Sequence, residues 1–183
     1  MNFYSDDIIK QIRNTDEPIP KIEELYTNIA RLFYTFSHHV VSPNYVLPLL
    51  LDRSNKIAFR CIDMEFNVNN CPSMLIYHKT YYKETNELIF YILMICTKPK
   101  FKKYGYASQL LDDFIKFIKS EYQDKHEKYA NIKIALSSLE SAVTFYESYG
   151  FRWTRESITA HKTLLEYEKY EEDKEYFMLE LIV

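Results

Sequence analysis

The sequence predicts an α/β (α+β) domain: a central mixed, mostly antiparallel twisted sheet flanked by helices, with a helical segment in front. Three observations carry this. Apolar residues recur at helical spacing between Leu25 and Val40. Three β-rich stretches joined by short turns run from Lys56 to Thr97, the pattern of antiparallel neighbours. A strand, an amphipathic stretch and another strand then follow, which implies a parallel neighbour reached through a right-handed crossover.

The elements follow in chain order. Ile8, Ile9 and Ile12 suggest a short helix, and "NTDEPIPK" (Asn14–Lys21) is a proline-punctuated joint. Leu25, Ile29, Leu32, Phe33, Phe36 and Val40 form the longer helical stripe. Tyr45–Leu51 is open between a strand and a short helix. Lys56–Phe66 alternates and reads as a strand, "NVNNCP" as a turn, Ser73–Tyr82 as a second strand and "KETNE" as a second turn. Leu88–Thr97 is apolar on both faces, the mark of a central strand. Leu110, Leu111, Phe114, Ile115 and Ile118 make a helical stripe. Asn131–Ser137 is a fourth strand, and Ser141–Tyr149 a short helix. Phe151–Ile158 and the segment from Glu175 to Val183 are the last two strands. Between these two strands, residues 159–174 are either helix or acidic loop.

The 183 residues fit a single domain, with 1–55 mainly helical and 56–183 forming the core. A formal net charge of −3 offers no basic face, so no nucleic-acid partner is expected. The N-terminus lacks an apolar signal core, and the longest apolar run, Leu88–Cys96, is too short for a bilayer. Cys61, Cys71 and Cys96 are odd in number, follow no metal spacing and read as reduced thiols, which points to the cytoplasm. His38 and His39 have no third ligand near them in the sequence, so no metal is expected. The run Glu166–Glu175 is a solvated acidic face, or an attractor for a cationic acceptor.

The chain contains two glycines, so their positions are informative. Gly105 stands in "KFKKYGYASQLL", where a buried strand ends and a helix begins. The first amides of a helix lack intrahelical partners, and with the helix dipole they form an anion site. Gly105 and the small Ala107 allow a phosphate to approach, and Lys102 and Lys103 add positive charge. The same residues also fit a plain solvated turn. No Gly-Lys-Ser/Thr follows, which excludes a nucleoside-triphosphate loop, and two glycines of a dinucleotide fingerprint are missing.

"TKPKFKKYGYASQLL" resembles the first motif of the GNAT superfamily of acyl-CoA-dependent N-acyltransferases. Thr97 takes the family's Val position, Pro99 its Pro, Lys102 its Arg or Gln, Gly105 its first Gly and Ala107 its second. "AVTFYESYGF" (Ala142–Phe151) resembles the second motif, with Gly150 on its glycine, and "MLEL" resembles the final strand. The likeness covers roughly residues 56–183.

The resemblance implies acetyl-CoA or another acyl-CoA as cofactor. The backbone of Ile95, Cys96, Thr97 and Lys98 would pair with the pantetheine arm, as in β-augmentation. The pyrophosphate would sit on Lys102, Lys103, Tyr104, Gly105, Tyr106 and Ala107. Ser137 or Ser138 would take a polar role, because Leu139 stands where relatives place an asparagine. Tyr146 matches the tyrosine that often protonates the leaving thiolate, against the plain alternative of a packing ring. No carboxylate lies within Leu88–Thr97, so the base is open among Glu87, Tyr91, Asp63, Glu65 and a water chain. The family's first strand has no evident counterpart in the N-terminal segment, and Thr159–Asp173 is a long insertion. The acceptor would be an amine on a small molecule or a protein, and the chain a monomer or homodimer. The alternative is a catalytically inactive module of this fold that binds CoA or regulates.

Overall fold

The computed structural model describes residues 2–4, 43–52, 54–64, 66, 68–122, 128–167 and 174–183. The helices expected around Ile8 and between Leu25 and Val40, His38, His39 and Glu65 lie outside these residues. The described elements are β1 (Asn2–Tyr4), α1 (Pro43–Leu51), β2 (Asn55–Arg60), β3 (Ser73–Tyr82), β4 (Glu87–Thr97), α2 (Tyr106–Tyr122), β5 (Asn131–Leu139), α3 (Glu140–Glu147), β6 (Arg152–Trp153), α4 (Lys162–Tyr167) and β7 (Tyr176–Ile182). Hydrogen bonding orders the strands β1-β2-β3-β4-β5-β7-β6. β4 and β5 run parallel, whereas β1–β2, β5–β7 and β6–β7 are antiparallel. This is the mixed sheet expected from the sequence.

Two compact units make up the chain: Met1–Ile76 with Met94–Phe114, and Tyr77–Leu93 with Ile115–Val183. In the first, β1 pairs with β2 from Asn2↔Arg60 to Tyr4↔Ala58, so a strand opens the chain where the sequence offers no evident candidate. Three residues with a single apolar position carry too little pattern to be read in advance. Tyr45–Leu51 proves helical, despite Pro48 inside α1. Val46, Leu49 and Leu50 of this helix are buried, and that burial offsets the hydrogen bond the proline removes. The start of α2 is tied to the first two strands. Asp113 Oδ2 accepts from Asn2 Nδ2 at 2.7 Å and from Arg60 Nη1 at 3.1 Å, and Arg60 Nη2 donates to Gln109 Oε1 at 2.9 Å.

The strand expected over Lys56–Phe66 stops at Arg60. Cys61 is bonded to Cys71 across a separation of 10 residues, and this staple closes the bend at 61–72. The bond overturns the expectation of three reduced thiols, and with it the sequence basis for a reducing compartment. Residues ten apart meet because β2 and β3 are neighbours in the sheet and the Asn-rich turn folds back between them. Among the described residues no helix is long and apolar enough to cross a membrane.

In the second unit the β4–β5 ladder runs from Glu87↔Asn131 to Ile92↔Leu136, and β5 pairs with β7 from Lys133↔Ile182 to Leu139↔Tyr176. Alternation then sorts the side chains. Leu88, Phe90, Ile132, Ile134, Leu136 and Leu179 share one buried face. Phe90 packs edge-on against Tyr122 at the end of α2, with ring centroids 5.3 Å apart. The strand expected over Phe151–Ile158 shrinks to Arg152–Trp153, because Arg155 adopts φ 61°, a left-handed conformation no strand continues through. The insertion begins with a short turn at Ile158–Ala160 and the one-and-a-half-turn α4; residues 168–173 lie outside the described set.

Closing a loop of about ten residues removes denatured-state entropy worth about 3 kcal/mol. Reduction of Cys61–Cys71, or the paired change Cys61→Ser and Cys71→Ser, is expected to lower the melting temperature by roughly 5–10 °C. Calorimetry with and without reductant measures this. An unchanged midpoint, or an intact mass showing three free thiols in the unreduced protein, would count against the bond.

Candidate functional site

β4 runs out at Thr97, and the chain makes a turn at Pro99–Phe101 before entering α2. Lys102 N donates to Pro99 O at 3.1 Å, and the next backbone bond along the chain is Gln109 N to Gly105 O at 2.9 Å. Among the described residues, the amides from Lys103 to Ser108 therefore donate to no backbone carbonyl. Two residues in this run are left-handed, Lys103 at φ 70° and Gly105 at φ 76°. Alternating left- and right-handed residues turn successive N–H groups to one side and create an anion-binding concavity. Lys103 bears the cost of that conformation without being a glycine, of order 1–2 kcal/mol. Among the described residues a Cβ on Gly105 would meet only Gln109 Nε2, at 4.0 Å, so this glycine serves the backbone conformation and open access rather than tight packing. Lys102, Lys103, Tyr104 and Gly105 are exposed, while Tyr106 and Ala107 are partly covered. With 17 residues, α2 is long enough to carry a full dipole onto these amides.

Lys98 departs from its expected place in this group. Its side chain is buried, at 1% exposure, and Nζ donates to Asn69 O at 3.3 Å. Its amide donates to Pro72 O and its carbonyl accepts from Phe101 N, both at 2.9 Å. The amide is thereby engaged and the carbonyl keeps one lone pair, so Lys98 also braces the turn. Burial, with the charge of Lys100 next, pushes its ammonium down to about 8. Upstream of Lys98, the parallel ladder ends at Ile92, five residues before β4 itself ends at Thr97. Ile95, Cys96 and Thr97 lie on this extension, and the Thr97 hydroxyl is 2.7 Å from that of Ser73. Burial pushes the Cys96 thiol up to about 12, with the charge of Lys98 opposing, so the sulfur stays protonated near neutrality.

In the second unit, Tyr146 lies on α3 and is buried, its ring 5.7 Å from Phe151 and 5.1 Å from Phe145. Gly150 follows at φ 91°, and its amide donates to Glu147 O while Phe151 N returns to Tyr146 O. The second glycine thus ends the helix and folds Phe151 back onto the tyrosine. Ser138 is buried and spends its hydroxyl on the carbonyl of Leu139, at 2.9 Å. Ser137 differs: its Oγ is buried with no hydrogen-bond partner. An unsatisfied buried hydroxyl costs about 1–3 kcal/mol, so of the two serines it is the one with capacity for a ligand.

The face of the sheet opposite Phe90 sets polar groups among apolar ones such as Ile89, Ala135 and Met178. Tyr91, Ala135 and Glu180 stand in register across β4, β5 and β7, with Glu87 and Lys133 on the same side. Lys133 Nζ lies 2.9 Å from Glu87 and 3.5 Å from Glu180. Burial works to raise the Glu87 carboxyl, but the hydrogen bond and charge of Lys133 prevail and hold it below its ordinary value. A carboxylate committed in this way is a weak base. Burial, then the hydrogen bond to Tyr82 and the charges of Glu180 and Glu87, pushes the Tyr91 phenol far above its usual value, so it holds its proton. Tyr91 Oη is 3.0 Å from Tyr82 Oη and 3.2 Å from His161 Nδ1, and His161 Nε2 is 3.2 Å from Glu156 Oε2. Asp63 is exposed and accepts from Asn70.

His161 is the residue that sequence reasoning missed. It sits in the insertion, 70 positions from Tyr91, and a lone histidine between "TA" and "KTLLEY" gives no local signal. A polar strand position followed by a far histidine becomes informative only once their contact is known.

Residues 79–169 match the family model of the acetyltransferase (GNAT) domain. No curated protein sequence matches the chain. Among solved structures, the NatC complex bound to Gag peptide and CoA contains a chain similar at TM-score 0.57 and 15% identity, covering 100% of this chain and 98% of that one. A ribosomal-protein alanine N-acetyltransferase from Escherichia coli matches at TM-score 0.53 and 13% identity, covering 100% and 94%. GCN5 from Tetrahymena matches at 0.51 and 14%, covering 87% and 86%. These likenesses concern the fold.

With its thiol pushed up to about 12, Cys96 carries on the order of one thiolate in 10⁴ at pH 8. Iodoacetamide should leave it unmodified in the native protein at pH 8 and label it after unfolding in urea. Complete native labelling at pH 8, read by peptide mass spectrometry, would contradict this placement.

Proposed function

The chain carries a GNAT acetyltransferase domain over residues 79–169, and from that premise we propose that it moves an acetyl or other acyl group from acyl-CoA to an amine. The observation that carries this reading is the run of amides from Lys103 to Ser108, which among the described residues donate to no backbone carbonyl and surround two left-handed residues at the mouth of a 17-residue helix. Such a cradle suits the pyrophosphate of CoA, with Lys102 and Lys103 supplying charge and Gly105 and Ala107 supplying access. Backbone groups of Ile95, Cys96 and Thr97, on the part of β4 past its ladder with β5, suit the amides of a pantetheine arm. Ser137 offers a hydroxyl with no other partner.

The cofactor supplies an activated thioester. The protein must accept a proton from the amine, offer a donor to the carbonyl oxygen as charge grows there, and protonate the departing sulfur. A backbone N–H near Cys96 suits the oxygen. Cys96 itself stays a thiol, which favours direct transfer to the amine over transfer through an acylated cysteine. Tyr146 is the proton donor in this reading. One observation favours the alternative of a CoA-binding module without turnover: Glu87, the nearest carboxylate on β4, is committed to Lys133. Thiol release from acetyl-CoA on addition of an amine panel separates the two. Binding of CoA with no release for any amine would support the module.

Gly105→Val should abolish CoA binding, since a branched side chain is strained at φ 76° and covers the amides. The new Cβ meets no described atom closer than 4.0 Å, so the main cost is about 1–2 kcal/mol of backbone strain against about 5–15 of total stability, and the variant should fold. Titration calorimetry tests it; unchanged affinity in a folded variant would remove the phosphate role.

Tyr146→Phe keeps the packed ring and removes only the hydroxyl. An interaction made in the transition state lowers kcat and kcat/KM together, here by about 10²–10⁴ for a lost general acid. Affinity for acetyl-CoA should stay level, and a donor with a more acidic thiol should recover part of the rate. Wild-type kcat in the variant would return Tyr146 to a packing role.

A further inference from the structure

The sheet face opposite Phe90 in the second unit contains a chain of groups with a direction. Tyr82 and Tyr91 hydroxyls lie 3.0 Å apart, Tyr91 Oη reaches His161 Nδ1 at 3.2 Å, and His161 Nε2 reaches Glu156 Oε2 at 3.2 Å. Burial falls along it. Tyr91 is 1% exposed and His161 5%, whereas the Glu156 side chain is 55% exposed. The inner end lies on a core strand beside Ala135, and the outer end is in solvent. We propose that Tyr91, His161 and Glu156 form the path by which the acceptor amine's proton leaves, with His161 as the relay base that no carboxylate on β4 supplies. This rests on the acyltransferase reading above.

The protons balance as follows. The amine N–H bond breaks toward the Tyr91 oxygen, directly or over one water, while the Tyr91 O–H proton passes to His161 Nδ1. The Nε2 proton of the same ring passes to Glu156, which releases it to water. Tyr91 gains one proton as it gives one, so the phenol never ionises. Tyr82 holds the Tyr91 oxygen in place from the other side. The relay requires a neutral imidazole with its proton on Nε2, the tautomer in which Nδ1 accepts from Tyr91 and Nε2 donates to Glu156.

Among the described residues, the titratable and charged groups facing this chain are Tyr82 on β3, Glu87 and Tyr91 on β4, Lys133 on β5, Glu156 after β6 and Glu180 on β7. Glu156, His161 and Glu180 also place one ligand atom each within 4.8 Å of one another. Glu180, however, is paired with Lys133 and both histidine nitrogens are engaged, which fits a proton path better than a metal site.

Two measurements test the proposal. Nitrogen NMR of the protein alone, labelled in its histidines, reads the His161 tautomer against a His161→Gln control. The relay expects Nε2–H, and Nδ1–H overturns it whatever the protein acetylates. Steady-state kinetics with acetyl-CoA then use a short peptide with a free α-amine, an Nα-blocked lysine peptide and spermidine. For the amine turned over best, His161→Gln should lower kcat about 10²–10³-fold near neutral pH, within the range of general-base loss. The deficit should narrow as the amine deprotonates in alkaline solution, while the Kd for CoA and the melting temperature change little. Glu156→Gln should give a smaller loss of the same kind. Wild-type kcat in His161→Gln, or a loss matched by weaker CoA binding and the same at every pH, overturns the relay and leaves the acyltransferase reading intact. Failure of the wild type to acetylate any of the amines while it still binds CoA overturns the acyltransferase reading, and the relay's function with it.

Discussion

The parallel ladder between β4 and β5 is the constraint on which the second unit depends. Six residue pairs, Glu87↔Asn131 to Ile92↔Leu136, fix which side chains share a face. A slip of one residue would move Tyr91 to the side of Phe90 and bury a phenol among apolar groups with no partner. In the observed register Tyr91 stands beside Ala135 and, one strand further, Glu180. The charged triad of Glu87, Lys133 and Glu180 and the chain of Tyr91, His161 and Glu156 follow from that alignment.

The ladder's end matters as much as its length. β4 continues for five residues past Ile92, and the backbone there belongs to the segment that leads into the amide cradle at the mouth of α2. The cradle is held from several sides. Lys98 closes the turn with both backbone groups and its buried side chain. Arg60 and Asn2 fix the first two turns of α2, through Gln109 and Asp113. The left-handed Lys103 and Gly105 persist because this frame over-determines them. A buried lysine of this kind, with its ammonium pushed down to about 8, illustrates why a lysine-rich segment cannot be treated as uniformly solvated.

The two glycines do related work at opposite ends of helices. Gly105 opens α2 by freeing amides, whereas Gly150 closes α3 by letting the chain reverse and return Phe151 to Tyr146. Both need positive φ, which few other residues adopt cheaply. A composition so poor in glycine therefore marks these two turns in the sequence itself.

Local chemistry was legible in the sequence. The central apolar strand, the helical stripe of α2, the glycine turn at its mouth and the tyrosine-glycine motif each announce themselves within a dozen residues, because turn conformation and amphipathic period are short-range properties. The short β1, the end of β2 at Arg60 and the two-residue β6 were not legible, since strand pairing and a left-handed Arg155 override propensity there. The bond between Cys61 and Cys71 and the burial of Lys98 likewise depend on neighbours that the fold supplies. The same holds for the base. Sequence alone left Glu87, Tyr91, Asp63, Glu65 and a water chain open, and only the tertiary structure commits Glu87 to Lys133 and brings Tyr91 to a histidine 70 residues away, because contacts at that separation are determined by sheet register rather than by local pattern.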